Sequence, residues 1–223
     1  MERLFEGKVY EILPLSNGII FSYLKDELEI GDYVEYKMIS FDNRRLSNVV
    51  KGTYMLAKFG MDSKEIKRIC ENYITIKSLI LPGGRVFLLE PNGRSHLVDA
   101  LGEIIYSGDL TYKGNKPSDI SLVGGALWAV YPDCDVILKY SLATMREELR
   151  IGGAKSPFSR PVDIFPISDE EIMVSNEGDA TLVKINLNDY SVSVEERFLE
   201  PVKQYIEVSN HRFVILESGL YIL

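Results

Sequence analysis

The sequence is poor in the residues that carry most covalent and metal chemistry. Its 223 residues include two cysteines, two histidines and one tryptophan. Cys70 and Cys134 lie far apart with no CxxC spacing, so the expected state is two free thiols in a reducing compartment. Cys134 is flanked by Asp133 and Asp135, and neighbouring anions raise a thiol pKa, which argues against a reactive nucleophile. His96 and His211 have no partner at metal-ligand spacing, which leaves zinc and most histidine-based catalysis without a motif. No Gly-x-Ser-x-Gly elbow and no phosphate-binding Walker sequence occurs. No metal and no cofactor is therefore expected.

Basic surface is also scarce. The net charge is -8, and the densest basic spots are Arg44-Arg45 and Lys64 with Lys67-Arg68. Neutralising phosphates needs a basic stripe, so nucleic acid is not an expected partner. No apolar run approaches the roughly 20 residues of a membrane helix, and no membrane partner is expected. The opening Met1–Glu6 lacks the regions of a secretory signal. Together with the cysteine usage, this makes a cytoplasmic protein the expectation.

What the chain does contain is a repeat. Five segments align without a gap on Glu11, Lys77, Asp119, Asp163 and Gln204. Four positions after each anchor stands an aliphatic residue: Leu15, Leu81, Val123, Ile167 and Val208. A turn follows, written Ser16-Asn17-Gly18, Pro82-Gly83-Gly84, Gly124-Gly125-Ala126, Ser168-Asp169-Glu170 and Ser209-Asn210-His211. Nine positions after the anchor comes a second large apolar residue: Ile20, Val86, Trp128, Ile172 or Phe213. Each unit reads as strand, tight turn, strand. The strands are apolar on both faces, the pattern of strands packed between neighbouring sheets.

The anchors are 66, 42, 44 and 41 residues apart, against the roughly 40–50 residues of a four-stranded propeller blade. The predicted fold is all-β: one domain over residues 1–223, a five-bladed β-propeller whose inner strands start near 9, 75, 117, 161 and 202. The last unit is short, and Glu2–Glu6 is the expected strand that completes it, so that the ring closes and no sheet edge is left exposed. The surplus in the first interval is assigned to a loop around Lys25–Gly31 and to a short rim helix over Asp62–Glu71.

Over residues 117–197 the chain resembles the NHL and YVTN-type propeller repeats. The matching text is Pro117-Ser-Asp-Ile120 with Leu127-Trp-Ala-Val-Tyr131, and Pro161-Val-Asp-Ile164 with Ile172-Met-Val-Ser-Asn176. Those families are mostly binding scaffolds with diverse ligands, so the resemblance implies a fold more than an activity.

In such a ring the anchors face the central channel, with the loops between second and third strands on the same side. The candidate ligand-binding residues are Glu11, Lys77, Asp119, Asp163, Gln204, Tyr131 and Asp133, with Glu90, Asp135, Glu177 and Asp179 on adjoining loops. This face should be acidic. The leading expectation is a non-catalytic scaffold presenting it to a protein, a peptide or a small polar ligand. The alternative is a glycoside hydrolase-like, carboxylate-dependent enzyme using Glu11, Asp119 and Asp163, because glycoside hydrolysis needs two carboxyl groups about 5–9.5 Å apart. Tyr10, Tyr131 and Tyr205 are the candidate stacking platforms. Asp133-Cys-Asp135 and Asn176-Glu-Gly-Asp179 read as ordinary turn chemistry rather than calcium loops.

Overall fold

A computed structural model describes residues 1–25, 34–60 and 75–223. Twenty strands form five antiparallel sheets of four. Blade 1 contains β2 (Val9–Leu15), β3 (Gly18–Leu24), β4 (Val34–Ser40) and β5 (Leu46–Val49). Blade 2 contains β6 (Lys77–Leu81), β7 (Arg85–Leu89), β8 (Arg94–Val98) and β9 (Ile104–Asp109). Blade 3 is built from β10 (Asp119–Val123), β11 (Ala126–Tyr131), β12 (Val136–Tyr140) and β13 (Glu147–Gly152). Blade 4 is built from β14 (Pro161–Pro166), β15 (Glu171–Asn176), β16 (Thr181–Asn186) and β17 (Val192–Arg197). Blade 5 takes β18 (Val202–Val208), β19 (His211–Leu216) and β20 (Gly219–Ile222), and its outer strand is β1 (Glu2–Glu6) from the other end of the chain. The molecule is a five-bladed β-propeller closed by β1.

The closure is a ladder in register, with Glu2 opposite Ile222 and Glu6 opposite Gly219. Gly219 is the residue that admits it, since a Cβ there would sit 2.1 Å from the Phe5 carbonyl oxygen. The hairpins inside the blades follow from their turn residues. Gly124 and Gly125 both take positive φ, and in the last blade Ser209 and Asn210 adopt the same left-handed conformation (φ 49° and 63°). A two-residue loop of this twist matches the right-handed twist of the strands it joins.

Burial falls from the axis outward. Every residue of β11 is buried, whereas the outermost strand of the same blade, β13, is mostly exposed or half-buried. Among the described residues, four buried apolar clusters fill the seams between blades. Phe87 and Leu89 pack on Leu127 and Leu138 between blades 2 and 3, and Trp128 and Val130 on Ile172 and Val174 between blades 3 and 4. Met173 and Leu182 meet Tyr205 and Val214 between blades 4 and 5. Phe21 and Ile12 meet Phe213 and Leu220 between blades 5 and 1.

The seam between blades 1 and 2 is built differently. A helix, α1 (Lys51–Phe59), contacts β2 of one blade and β6 of the other, with Tyr54 and Phe59 buried. It ends at Gly60, which is left-handed and returns its N–H to the Leu56 carbonyl (2.9 Å), an αL cap. The sequence reading missed this helix. The predicted rim helix over 62–71 and residues 26–31 of the predicted loop lie outside the described residues. No helix among the described residues is long and apolar enough to cross a membrane.

Candidate functional site: the axial pocket

The five anchors stand at or near the start of the innermost strands β2, β6, β10, β14 and β18. In blades 1, 4 and 5 the ladder slips by one residue just before the anchor, between Val9 and Glu11, Pro161 and Asp163, and Val202 and Gln204. Such bulges re-aim side chains. The residue in each slip, Tyr10, Val162 or Lys203, lines the same cavity as the anchor that follows it.

That cavity has a volume of about 490 Å³, and all five anchors line it. It falls in the ordinary range for a small-molecule site, roughly 300–1,000 Å³.

Three of the anchors fasten one blade to the next. The Ile164 amide donates to Asp119 Oδ2 (3.2 Å), and the Tyr205 amide to Asp163 Oδ2 (3.0 Å). Gln204 takes the Ile12 N–H on Oε1 (2.7 Å) and returns its Nε2 to the Ile12 carbonyl (3.0 Å). In each case the bonded residue directly follows the next anchor. Between blades 2 and 3 an ion pair replaces the amide, Lys77 Nζ lying 2.7 Å from Asp119 Oδ1. Glu11 instead turns to the inserted helix, where Lys58 Nζ (2.7 Å) and the Tyr54 hydroxyl both donate to its Oε2.

Electrostatics follow from this packing. Burial pushes the Asp163 carboxyl well above the usual carboxylate range, and the neighbouring Asp119 charge pushes it further. Burial alone would lower the Lys77 ammonium, but the Asp119 carboxylate outweighs it and holds Lys77 above the ordinary lysine value. Burial and Glu11 raise the Tyr54 phenol. The centre is therefore a fixed cation between two carboxyl groups, one of which keeps its proton more readily than usual.

The anchors meet as the repeat suggested, but two other candidates sit elsewhere. Tyr131 is fully buried, with its hydroxyl on Tyr140 Oη (2.8 Å) and the Leu110 carbonyl (3.4 Å). It faces the apolar seam between blades 2 and 3, because alternation along β11 turns it away from the axis. Asp133 is exposed on the short turn Pro132–Cys134 and does not line the cavity. Tyr205 is likewise buried, its hydroxyl donating to Glu207. Of the three predicted platforms only Tyr10 lines the cavity.

The loop acids are largely occupied. Glu90 bonds His96 Nε2 (2.8 Å), Glu177 pairs with Arg160 (2.6 Å), Asp135 accepts the Arg160 amide (2.6 Å), and Asp179 accepts from Thr181 (2.8 Å). Among the described residues no group of three His, Cys, Asp or Glu side chains is placed to hold a metal ion. Cys134 is a free thiol, and Cys70 lies outside the described residues.

Sequence reasoning missed Tyr36, Tyr54 and Lys58, which complete the lining from β4 and α1. It also missed Lys203, Ser118 and Val162. A signal existed for those last three, since each immediately precedes an anchor. With Lys58 and Lys203 included, the lining holds as many ammonium groups as carboxyl groups: Lys58, Lys77 and Lys203 against Glu11, Asp119 and Asp163.

No protein-family model matches the chain, and no curated protein matches it. Solved structures do. The β-propeller domain of Cps50 (Swd1) from Myceliophteria thermophila superposes with a TM-score of 0.54 at 14% identity, over 93% of this chain and 66% of that one. Virginiamycin B lyase from Staphylococcus aureus superposes with a TM-score of 0.51 at 11% identity, over 100% of this chain and 72% of that one. Identities this low establish the shared propeller fold and nothing about activity. The chain spans just under two thirds of the first of these structures.

The carboxyl geometry bears on chemistry. Asp119 and Asp163 are near enough for the one to perturb the titration of the other, and each accepts a backbone amide of the next blade. Glu11 and Asp119 are each ion-paired with a lysine.

Proposed function

We propose that the protein is a non-catalytic binding propeller that uses the axial pocket to hold a small polar ligand or a polar segment of a protein or peptide. The observation that carries this reading is the convergence of all five repeat anchors on one cavity of about 490 Å³, with its charges tied into pairs. A site of this kind binds by shape and hydrogen bonding.

The resemblance of blades 3 and 4 to NHL and YVTN repeats, families made up largely of scaffolds, supports the same reading. A cytoplasmic location is proposed from the sequence, and no nucleic-acid partner is expected at a net charge of -8. Lys58→Met tests the reading. The substitution leaves the blade staples intact and removes one lining ammonium, so it should abolish or weaken retention of any ligand that copurifies or is found by small-molecule screening. A ligand retained equally by wild type and variant, with resonance shifts on the outer strands, would place the binding surface elsewhere.

A further inference from the structure

We infer that the axial pocket takes a neutral saccharide, an inference that rests on the pocket being a binding site. Three features of the lining point to this class, and each excludes a competitor.

Charge comes first. Lys58 pairs with Glu11 and Lys77 with Asp119, both at 2.7 Å, and Lys203 pairs with Glu217 at 2.5 Å. Asp163 is held toward its neutral form by burial and by Asp119. A pocket closed in this way has no surplus charge to offset the desolvation of an ionic ligand. Anionic and cationic ligands are therefore disfavoured.

Hydrogen-bonding capacity comes second. Each lysine ammonium carries three N–H donors and shows one carboxylate partner, so two donors on Lys58 and two on Lys77 remain available. Beside them, Tyr54 and Lys58 both use Glu11 Oε2, which leaves Oε1 as an acceptor. The lining thus offers both donors and acceptors. A vicinal diol, in which every hydroxyl both donates and accepts, matches that arrangement; a purely apolar ligand would leave it unsatisfied.

The third feature is one-sidedness. Tyr10 on β2, Tyr36 on β4 and Tyr54 on α1 line the cavity from blade 1 and its adjoining helix, beside Glu11, Ser22 and Lys58, while the lining from blades 2 to 5 contains no aromatic residue. The Tyr36 and Tyr54 rings lie 4.5 Å apart between centroids, and Tyr10 is 40% exposed. Rings on one side of a polar cavity and none on the other fit a pyranose, whose C–H face is apolar and whose rim carries hydroxyls.

The test is a titration followed by NMR, observing tyrosine ring and lysine side-chain resonances of the whole protein. Three probe sets are compared: glucose, galactose, mannose and N-acetylglucosamine with their dimers; glucuronate; and the zwitterionic dipeptide Gly-Gly. The expected result is saturable shifts at Tyr10, Tyr36 and Lys58 with at least one neutral sugar and none with the other two sets. Tyr36→Ala should weaken that binding by about fivefold or more. Tyr10→Ala, at a more exposed position, repeats the test without disturbing the core. Pocket shifts with glucuronate or Gly-Gly but with no neutral sugar overturn the saccharide inference and leave the binding pocket standing. Pocket resonances unmoved by every probe overturn both for small ligands.

Discussion

Replacing Lys77 by methionine probes the centre of the ring most directly. Methionine keeps most of the length and apolar stem of lysine and removes only the ammonium. In the wild type this group lies 2.7 Å from Asp119 Oδ1, with side-chain exposures of 28% and 10% for the pair. Removing one partner of a buried pair costs about 3–5 kcal/mol, mostly because the other charge is stranded. Lys77 borders a wet pocket, so the lower end applies, about 3 kcal/mol. For a chain of this size that corresponds to a fall in Tm of about 6–12 °C. The double variant Lys77→Met/Asp119→Asn should recover at least half of the loss, since a neutral amide can still accept the Ile164 N–H. Urea unfolding of wild type, the two single variants and the double variant supplies the full cycle. If Lys77→Met lies within about 0.5 kcal/mol of wild type, the range of a plain surface substitution, or if the double variant is no more stable than the single one, the stranded-charge account is wrong.

Other perturbations read neighbouring links. The folded Asp163 carboxyl sits above its unfolded value, so the folded state holds a proton that the unfolded state releases more easily. Stability should therefore fall as pH rises from about 4 toward the folded value and level off beyond it. Asp163→Asn, a neutral mimic, should flatten that slope in pH-dependent urea melts; an unchanged slope refutes the assignment. Gly219→Ala forces a Cβ to within 2.1 Å of the Phe5 carbonyl and should cost at least about 2 kcal/mol, detected as a lower Tm and as loss of amide protection along β1. Deleting residues 1–6 removes β1 from blade 5 and should lower the stability of all five blades together. If hydrogen exchange rises only in blade 5, the ring is not a cooperative unit. Gln204→Ala, which unpairs both the N–H and the carbonyl of Ile12, should cost about 1–3 kcal/mol by the same denaturation assay.

Much of the architecture is legible in the chain because propeller blades are local. Each hairpin is written by apolar runs around a short turn, such as Leu122-Val123-Gly124-Gly125-Ala126-Leu127, and needs no distant information. The period of these units implies the number of blades, and the shortness of the last unit identifies Glu2–Glu6 as its missing strand. The anchor column was visible for the same reason, since a residue recurring at one place in every blade must recur at one place around the axis.

What those anchors touch was not written in any single unit. Asp119 meets Ile164, Asp163 meets Tyr205 and Gln204 meets Ile12 only when blades stand side by side, across separations that no local pattern encodes. The upward shift of the Asp163 carboxyl and the inversion of burial's effect on Lys77 depend on desolvation and proximity, which exist only in the packed ring. Alternation along β11 placed Tyr131 in the seam although its sequence position suggested the channel mouth. The helix α1, lodged where the repeat is interrupted, supplied Tyr54 and Lys58 to the pocket lining. Covalent order was enough to specify the ring; which of its polar groups remain available to a ligand was set by how the blades and the inserted helix pack against one another.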